Sequence, residues 1–309
     1  MATAPTGILY AATVLLWGCS FIAIANLQGV VALEMSIVYR DALCAILALG
    51  YALLRGQSLR FSRRDHLFLA VQGAFLFALN DVFIWNAVGY LTSGLVALVI
   101  SLVMVMNVIF GALFLGFAIR PRVLLAAGLG IGGVALVFWP DLMAFDPSSD
   151  ALIGLGLALC SPIVFSLGQI VVARNQLSDL PLMRSTGVAM GYGAITAFVM
   201  AMILGRDVTW SFDPAFVASF FYIALIGSLL GFFMYFTVLG RIGPGRAAYI
   251  SVLTPVIALI VSTLFEGFVW TATSLVGAAI ILAGNVLVLT GGPAAAIATP
   301  QVKSRTEPT

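Results

Sequence analysis

The sequence predicts an all-α integral membrane protein: ten transmembrane helices arranged as two inverted-topology five-helix repeats. Three observations predict it. Hydrophobic residues make up 62% of the 309 and charged residues 8%, against about 25% charged in soluble domains, so no polar surface is available to cover a water-soluble globule. The apolar runs reach the roughly 20 residues that cross the hydrocarbon layer at helical rise, and they are too long and continuous for the alternating strands of a barrel. Finally, 12 of the 14 Lys and Arg fall in alternate gaps between those runs, the pattern of basic loops retained on the cytoplasmic face.

Taken in order, span 1 is expected over residues 6–26. Ala23-Ile24-Ala25 resembles a cleavage site and Leu16-Trp17-Gly18-Cys19 a lipoprotein box. No Lys or Arg precedes the run and Trp17 is bulky for such a box, so the segment reads as a retained helix. Span 2 (34–54) carries Arg40 and Asp41 about two turns inside and ends at the basic gap Arg55, Arg60, Arg63 and Arg64. Span 3 (65–88) carries Asn80, Asp81 and Trp85; span 4 (92–117) carries Asn107 and leads to Arg120 and Arg122. Span 5 (121–139) ends at a loop from Pro140 to Asp150, whose Asp141, Asp146 and Pro147 mark an outside turn. Span 6 (151–172), with Pro162 and Gln169, is followed by Arg174 and Arg184; span 7 (183–204) is followed by Arg206, which lies in the other set of gaps. Span 8 (214–238) ends at Arg241 and Arg246, span 9 (243–265) contains Ser251 and Pro255 and runs to Glu266, and span 10 (270–290) precedes a tail bearing Lys303 and Arg305. This alternation puts both termini in the cytoplasm.

An internal repeat organises these spans. Ala97, Ile100 and Ser101 recur at constant spacing as Ala247, Ile250 and Ser251. One position later, Gly116-Phe117, Ala127, Gly133 and Leu136-Val137 recur as Gly267-Phe268, Ala278, Gly284 and Leu287-Val288. The expected division is residues 1–139 for the first five helices, 140–150 for an outside linker, 151–290 for the second five, and 291–309 for a disordered cytoplasmic tail. Because five is odd, the second copy enters the membrane upside down, and inverted repeats build carriers that expose a midplane site to each side in turn.

Several function classes are excluded. The formal charge of +2 and the lack of a long basic patch give no nucleic-acid partner. His66 is the only histidine and falls in a basic loop, so the chain offers neither a catalytic constellation nor a metal cluster, and no cofactor is expected. Cys19, Cys44 and Cys160 are odd in number and lie within spans, as packed thiols rather than a disulfide framework. A channel fits the hydropathy, but a single inverted repeat with polar faces fits a carrier better.

The polar residues at membrane depth mark the candidate site. An isolated charge there costs at least ~2.5–3.5 kcal/mol, so Arg40 and Asp41 must face the interior with partners, and Asp81 is the expected distant partner of Arg40. That set reads as an ion pair pinning two helices or as a proton-coupling group. Trp17 with Ser20 and Phe21, Asp81 with Trp85, Pro162 with Ser166 and Gln169, and Ser228 with Gly231 and Tyr235 follow helical spacing, so each set shares a face. Such faces line either a cavity or a helix contact. The candidate substrate-binding residues are Trp17, Ser20, Asn80, Asp81, Trp85, Asn107, Gln169, Tyr235 and Ser251. Pro162 and Pro255 free carbonyls inside spans 6 and 9, serving as bends or as ligand contacts, with Ser251 and Thr254 placed to satisfy the carbonyls near Pro255. Glu266, taken on its own residues, is a solvated charge at a helix end.

Trp17-Gly18, Arg40, and the run from Gly245-Arg246-Ala247-Ala248 through Thr254-Pro255 to Leu264-Phe265-Glu266 resemble the drug/metabolite transporter superfamily of ten-helix, EamA-type carriers. The first half departs from that pattern, with Val105 where a proline would align and Leu115-Gly116 in place of the glutamate. Within the superfamily the chain is most similar to YddG-type exporters of aromatic and neutral amino acids. The resemblance implies a secondary transporter in the bacterial inner membrane, partnered by a small-molecule substrate and the lipid bilayer. A quaternary-ammonium or nucleotide-sugar-like carrier is the alternative within the same superfamily.

Overall fold

The computed structural model describes residues 5–115, 121–144, 149–177, 180–242 and 250–289. Arg120, Arg246, Lys303, Arg305, the run Gly245 to Ala248 and the expected tail 291–309 lie outside them. The described residues form helices α1 (Thr6–Ala25), α2 (Leu33–Leu54), α3 (Arg63–Gly73), α4 (Asn80–Val88), α5 (Ser93–Ile100), α6 (Val103–Leu115), α7 (Pro121–Val137), α8 (Trp139–Ala144), α9 (Asp150–Leu177), α10 (Leu182–Ile203), α11 (Pro214–Phe221), α12 (Gly231–Ile242), α13 (Ile250–Phe265) and α14 (Ala272–Leu289). Two π-helical segments, Ala74–Leu79 and Tyr222–Leu230, join α3 to α4 and α11 to α12 into continuous rods.

Among the described residues, seven helices are long and apolar enough to cross a membrane. Shorter apolar helices occupy Leu124–Val137, Ile250–Phe265 and Ala272–Leu287. Large apolar side chains such as Leu54, Ile203, Leu264 and Phe265 are exposed, as on a surface facing lipid.

Local chemistry sets the ends of these helices. Ser62 and Asp65 form a capping box at α3, with the Asp65 amide donating to Ser62 Oγ at 3.1 Å and the Ser62 amide to Asp65 Oδ2 at 3.3 Å. Asp213 Oδ1 accepts from the amides of Ala215 and Phe216 at the start of α11, with Pro214 in the first helical position. After α2 and α10 the chain turns on Gly56 (φ 68°) and Gly205 (φ 65°), a left-handed conformation that a Cβ would strain.

Small residues let the helices approach. A Cβ on Gly277 of α14 would lie 2.6 Å from the Gly133 carbonyl oxygen of α7, and one on Gly133 would lie 2.8 Å from that of Gly277. α2 packs on α10, with Gly187 against Ala48 and Leu49. Backbones brought this close gain dispersion contacts without help from the hydrophobic effect, which is absent in lipid.

The structure differs from several sequence expectations. Span 4 is divided at Ser101-Leu102 into α5 and α6. There Ser101 Oγ donates back to the Leu98 carbonyl at 2.6 Å and receives Asn285 Nδ2 at 2.9 Å, so its hydroxyl competes with the helix ladder. The expected loop at Pro140 begins instead as helix α8, since proline in a first turn forfeits no hydrogen bond and Leu142 packs on the core. His66 lies in the first turn of α3, bonded to Tyr192 Oη at 3.0 Å, and Arg174 in the last turns of α9, its guanidinium 3.7 Å from the Phe68 ring centroid. α3 begins at Arg63 and α9 runs on to Leu177, each past its expected boundary, and both side chains have partners on neighbouring helices.

Candidate functional site: a buried charge cluster beside an aromatic row

Arg40 and Asp41 face the interior of the bundle from α2, 6% and 0% exposed. Arg40 donates from Nε to Asp41 Oδ1 at 3.0 Å and from Nη2 to the same oxygen at 2.5 Å. The same Nη2 pairs with Asp81 Oδ2 on α4 and reaches the Phe77 carbonyl at 3.5 Å, the limit of a hydrogen bond. Asp81 Oδ1 accepts from Asn80 Nδ2 at 2.9 Å, and Asn80 Oδ1 accepts from Ser161 Oγ on α9 at 2.9 Å. The Arg40 guanidinium lies 5.4 Å from the centroid of the Trp85 ring, within cation–π range. Helices α2, α4 and α9 are thus tied into one polar network.

The first π segment places that cation. In Ala74–Leu79 the Asn80 amide bonds the Phe75 carbonyl five residues back, which shifts the ladder and aims the Phe77 carbonyl at Arg40. The second π segment does the same for an aromatic cluster. Trp17 Nε1 donates to the Gly227 carbonyl at 3.0 Å, and Cys44 Sγ donates to that of Ala224 at 3.3 Å. Trp17 meets Tyr235 at 5.2 Å between ring centroids and Phe232 edge-on at 5.6 Å, while Phe232 meets Phe77 edge-on at 6.3 Å. Tyr235, Trp17, Phe232 and Phe77 therefore form a row that ends beside Arg40. Gly227 and Gly231 make room for it, since a Cβ on Gly231 would lie 2.5 Å from Trp17 Nε1 and one on Gly227 would lie 2.7 Å from Ser20 Oγ.

The remaining candidates fall differently. Trp85 is 1% exposed in the main core, and its carbonyl accepts from Gln28 Nε2 at 2.7 Å, so the expected contact with a substrate is closed in this conformation. Asn80 is likewise committed to Asp81 and Ser161. Ser20 Oγ bonds the Leu16 carbonyl of its own helix at 2.8 Å. Asn107 Oδ1 on α6 and Ser166 Oγ on α9 are buried without a hydrogen-bond partner, and Gln169 is half-buried one turn beyond Ser166. Both proline-bearing helices run through without a break. Thr254 Oγ1 donates to the Ile250 carbonyl at 2.9 Å rather than to Ser251, whose carbonyl Pro255 leaves free, and Ser251 is half-buried.

Glu266 is not the solvated terminal charge that its position suggests. Its Oε2 accepts from the Ser93 amide at 2.9 Å and from Ser93 Oγ at 2.7 Å, capping α5 from the end of α13. A carboxylate at that helix start is favoured by the exposed amides and the dipole, and Thr92 in the N-cap position gives no side-chain cap. Ser161, Phe77 and Phe232 carry no sequence signal beyond a serine beside a proline and aromatics in apolar helices; their roles arise from which helices pack together.

With this geometry established, the EamA-like transporter family model matches residues 5–139 and 152–290. The chain belongs to that family. Over 199 residues it is 27% identical to the probable amino-acid metabolite efflux pump of Salmonella typhimurium, covering 62% of this chain and 66% of that protein, just under two thirds. Over 210 residues it is 25% identical to the protein of the same name in Escherichia coli K12, covering 65% and 69%. It is 24% identical over 295 residues to the uncharacterized inner membrane transporter YedA of that strain, covering 94% and 93%. A solved crystal structure at 16% identity superposes with a TM-score of 0.64 over 91% of this chain and 95% of the other, which shows a shared fold. The EamA-like family is one of transporters, in keeping with a chain that has no enzymatic constellation in its sequence, and its helices make this member a multi-pass membrane protein.

Proposed function

We propose that the protein is a secondary transporter of the bacterial inner membrane that exports aromatic and other large neutral amino acids by alternating access. The observation that carries the reading is the aromatic row Tyr235–Trp17–Phe232–Phe77 ending at a charge cluster held inside the bundle. The rings match an apolar side chain, and freed carbonyls with uncharged donors such as Asn107 and Gln169 match the ends of a zwitterion. The relatives named as amino-acid metabolite efflux pumps support this substrate class. Arg40 already engages Asp81, which removes the unpaired carboxylate that a cationic drug would seek.

Ten spans in two inverted halves are part of the same reading. In its support, the family model matches twice, in residues 5–139 and 152–290. The two π segments fall in corresponding rods, and Phe77 and Gly227, whose carbonyls accept Arg40 and Trp17, stand at the same repeat spacing as Ala97 and Ala247. The packing pairs are also self-consistent under exchange of halves: α7 pairs with α14, α2 with α10, and the contact of α1 with α13 has its counterpart in α9 with α5 and α6. Two similar halves related this way exchange conformations at little cost.

The test is transport in proteoliposomes without ATP. Phenylalanine, tryptophan, leucine or methionine should show saturable counterflow, weakened roughly tenfold by Trp17→Ala, about 1.4 kcal/mol, at unchanged folded yield. Quaternary-ammonium transport that no amino acid competes with would overturn the assignment, and unsaturable flux would indicate a channel.

A further inference from the structure

The buried cluster holds one guanidinium and two carboxylates, and the count leaves one negative charge in excess. Both Asp81 oxygens have partners, Arg40 and Asn80. Asp41 differs. Its Oδ1 takes both Arg40 contacts, while Oδ2 is fully buried and accepts no hydrogen bond. An ionised carboxylate oxygen without partners in a low-dielectric interior is strongly disfavoured. The compensating charge must be small, because the space beside Oδ2 is full: a Cβ on Gly193 would lie 2.9 Å from that oxygen and 2.9 Å from Phe77 Cβ. No hydrated ion with its ligands fits there. The Gly73 carbonyl oxygen borders the same space, 3.2 Å from the same point, an acceptor that repels a carboxylate and suits a protonated acid.

The other groups facing Asp41 leave the charge uncorrected. α2 contributes Arg40 and, one turn on, Cys44, whose thiol donates to the Ala224 carbonyl; α4 contributes Asp81. The π segment contributes Phe77, and α10 contributes Gly193, neither titratable. Tyr192 beside Gly193 is engaged with His66.

We propose that Asp41 carries a proton in this conformation and is the site at which transport is coupled to proton movement. Asp81 and Asp41 compete for Arg40. While Asp81 holds it, Asp41 stays protonated. When rearrangement of the α3–α4 rod withdraws Asp81, the Asp41 O–H bond breaks, the proton passes to water on the side then exposed, and the new carboxylate takes Arg40 as sole partner. The reverse motion takes one proton from the opposite side, so one proton crosses per cycle against the exported substrate.

Infrared spectroscopy of the full chain in detergent tests the proton without reference to transport. One protonated-carboxyl band is expected at neutral pH. It should move in Asp41→Glu, stay in place in no variant lacking Asp41, and vanish in Asp81→Asn, where Arg40 is left to Asp41 alone. Absence of the band in the unaltered protein, a band that moves in Asp81→Glu instead, or one that survives Asp81→Asn would overturn the proposal. The coupling step rests on the transport reading and is tested separately. In proteoliposomes a pH gradient should drive phenylalanine accumulation, and Asp41→Asn should abolish that drive. Counterflow in the unaltered protein with no response to the gradient sinks the coupling and leaves the transport reading intact; no counterflow of any amino acid sinks the transport reading.

Discussion

At the scale of single residues, the most expensive group is Arg40. Removing it by Arg40→Ala leaves the Asp81 carboxylate in the interior without its cation, a loss of about 3–5 kcal/mol for a broken buried pair, and the expected result is a sharp fall in folded yield and monodispersity on size exclusion. Arg40→Leu combined with Asp81→Asn should recover much of that yield, because the remaining Asp41 is neutral as the acid. A stable, monodisperse Arg40→Ala with only transport impaired would show that the ion cluster does not hold the fold. Glu266 is a milder case. Its carboxylate supplies the cap that Thr92 does not, so Glu266→Ala should cost about 0.5–2 kcal/mol, read as a few degrees in thermal unfolding, and Glu266→Gln should cost less. Reading the sequence alone places Glu266 in water, because nothing in residues near position 266 announces Ser93 as a partner.

At the scale of elements, helix contacts depend on glycines where backbones meet. α7 and α14 meet at Gly133 and Gly277. Gly277→Leu should force the pair apart and cost more than about 1–3 kcal/mol, the usual range for overpacking, because backbone rather than flexible side chain stands in the way. Gly128→Ala, where a Cβ meets open space, is the control and should raise stability slightly through helix propensity. Equal melting temperatures for the two variants would show that this contact is looser than the geometry implies. The π segments illustrate what periodicity hides: Ala74–Leu79 and Tyr222–Leu230 are apolar stretches that read as ordinary helix. The shifted ladder presents the Phe77 and Gly227 carbonyls to Arg40 and Trp17, partners that the packing of neighbouring helices supplies.

At the scale of the whole molecule, the alternation of basic gaps predicts an orientation that labelling can test. Cysteines introduced at Ser58 and Val208, both exposed in loops at opposite ends of the bundle, should be labelled by a membrane-impermeant maleimide from opposite sides. Ser58→Cys should react only after the cytoplasmic face is opened, and Val208→Cys in intact cells, in a background with Cys19 and Cys160 replaced by alanine. Reaction of both from one side would discard the ten-span proposal.

What the sequence determined by itself is whatever follows from composition and period: a helical membrane protein, the approximate positions of its apolar helices, the buried charges at Arg40, Asp41 and Asp81, and a resemblance that the family match supports. Lipid enforces these, since each residue's cost of entering hydrocarbon is local and additive along a helix. Only the tertiary structure decided that Arg40 also reaches the Phe77 carbonyl beside its expected partner Asp81, that Trp85 is packed away while Trp17 meets Tyr235 and Phe232, and that Glu266 caps α5. Such pairings join residues far apart in the chain. In an apolar sequence many helix faces are chemically alike, and which of them meet is set by backbone approach at glycines and by the few polar groups that must find one another away from water.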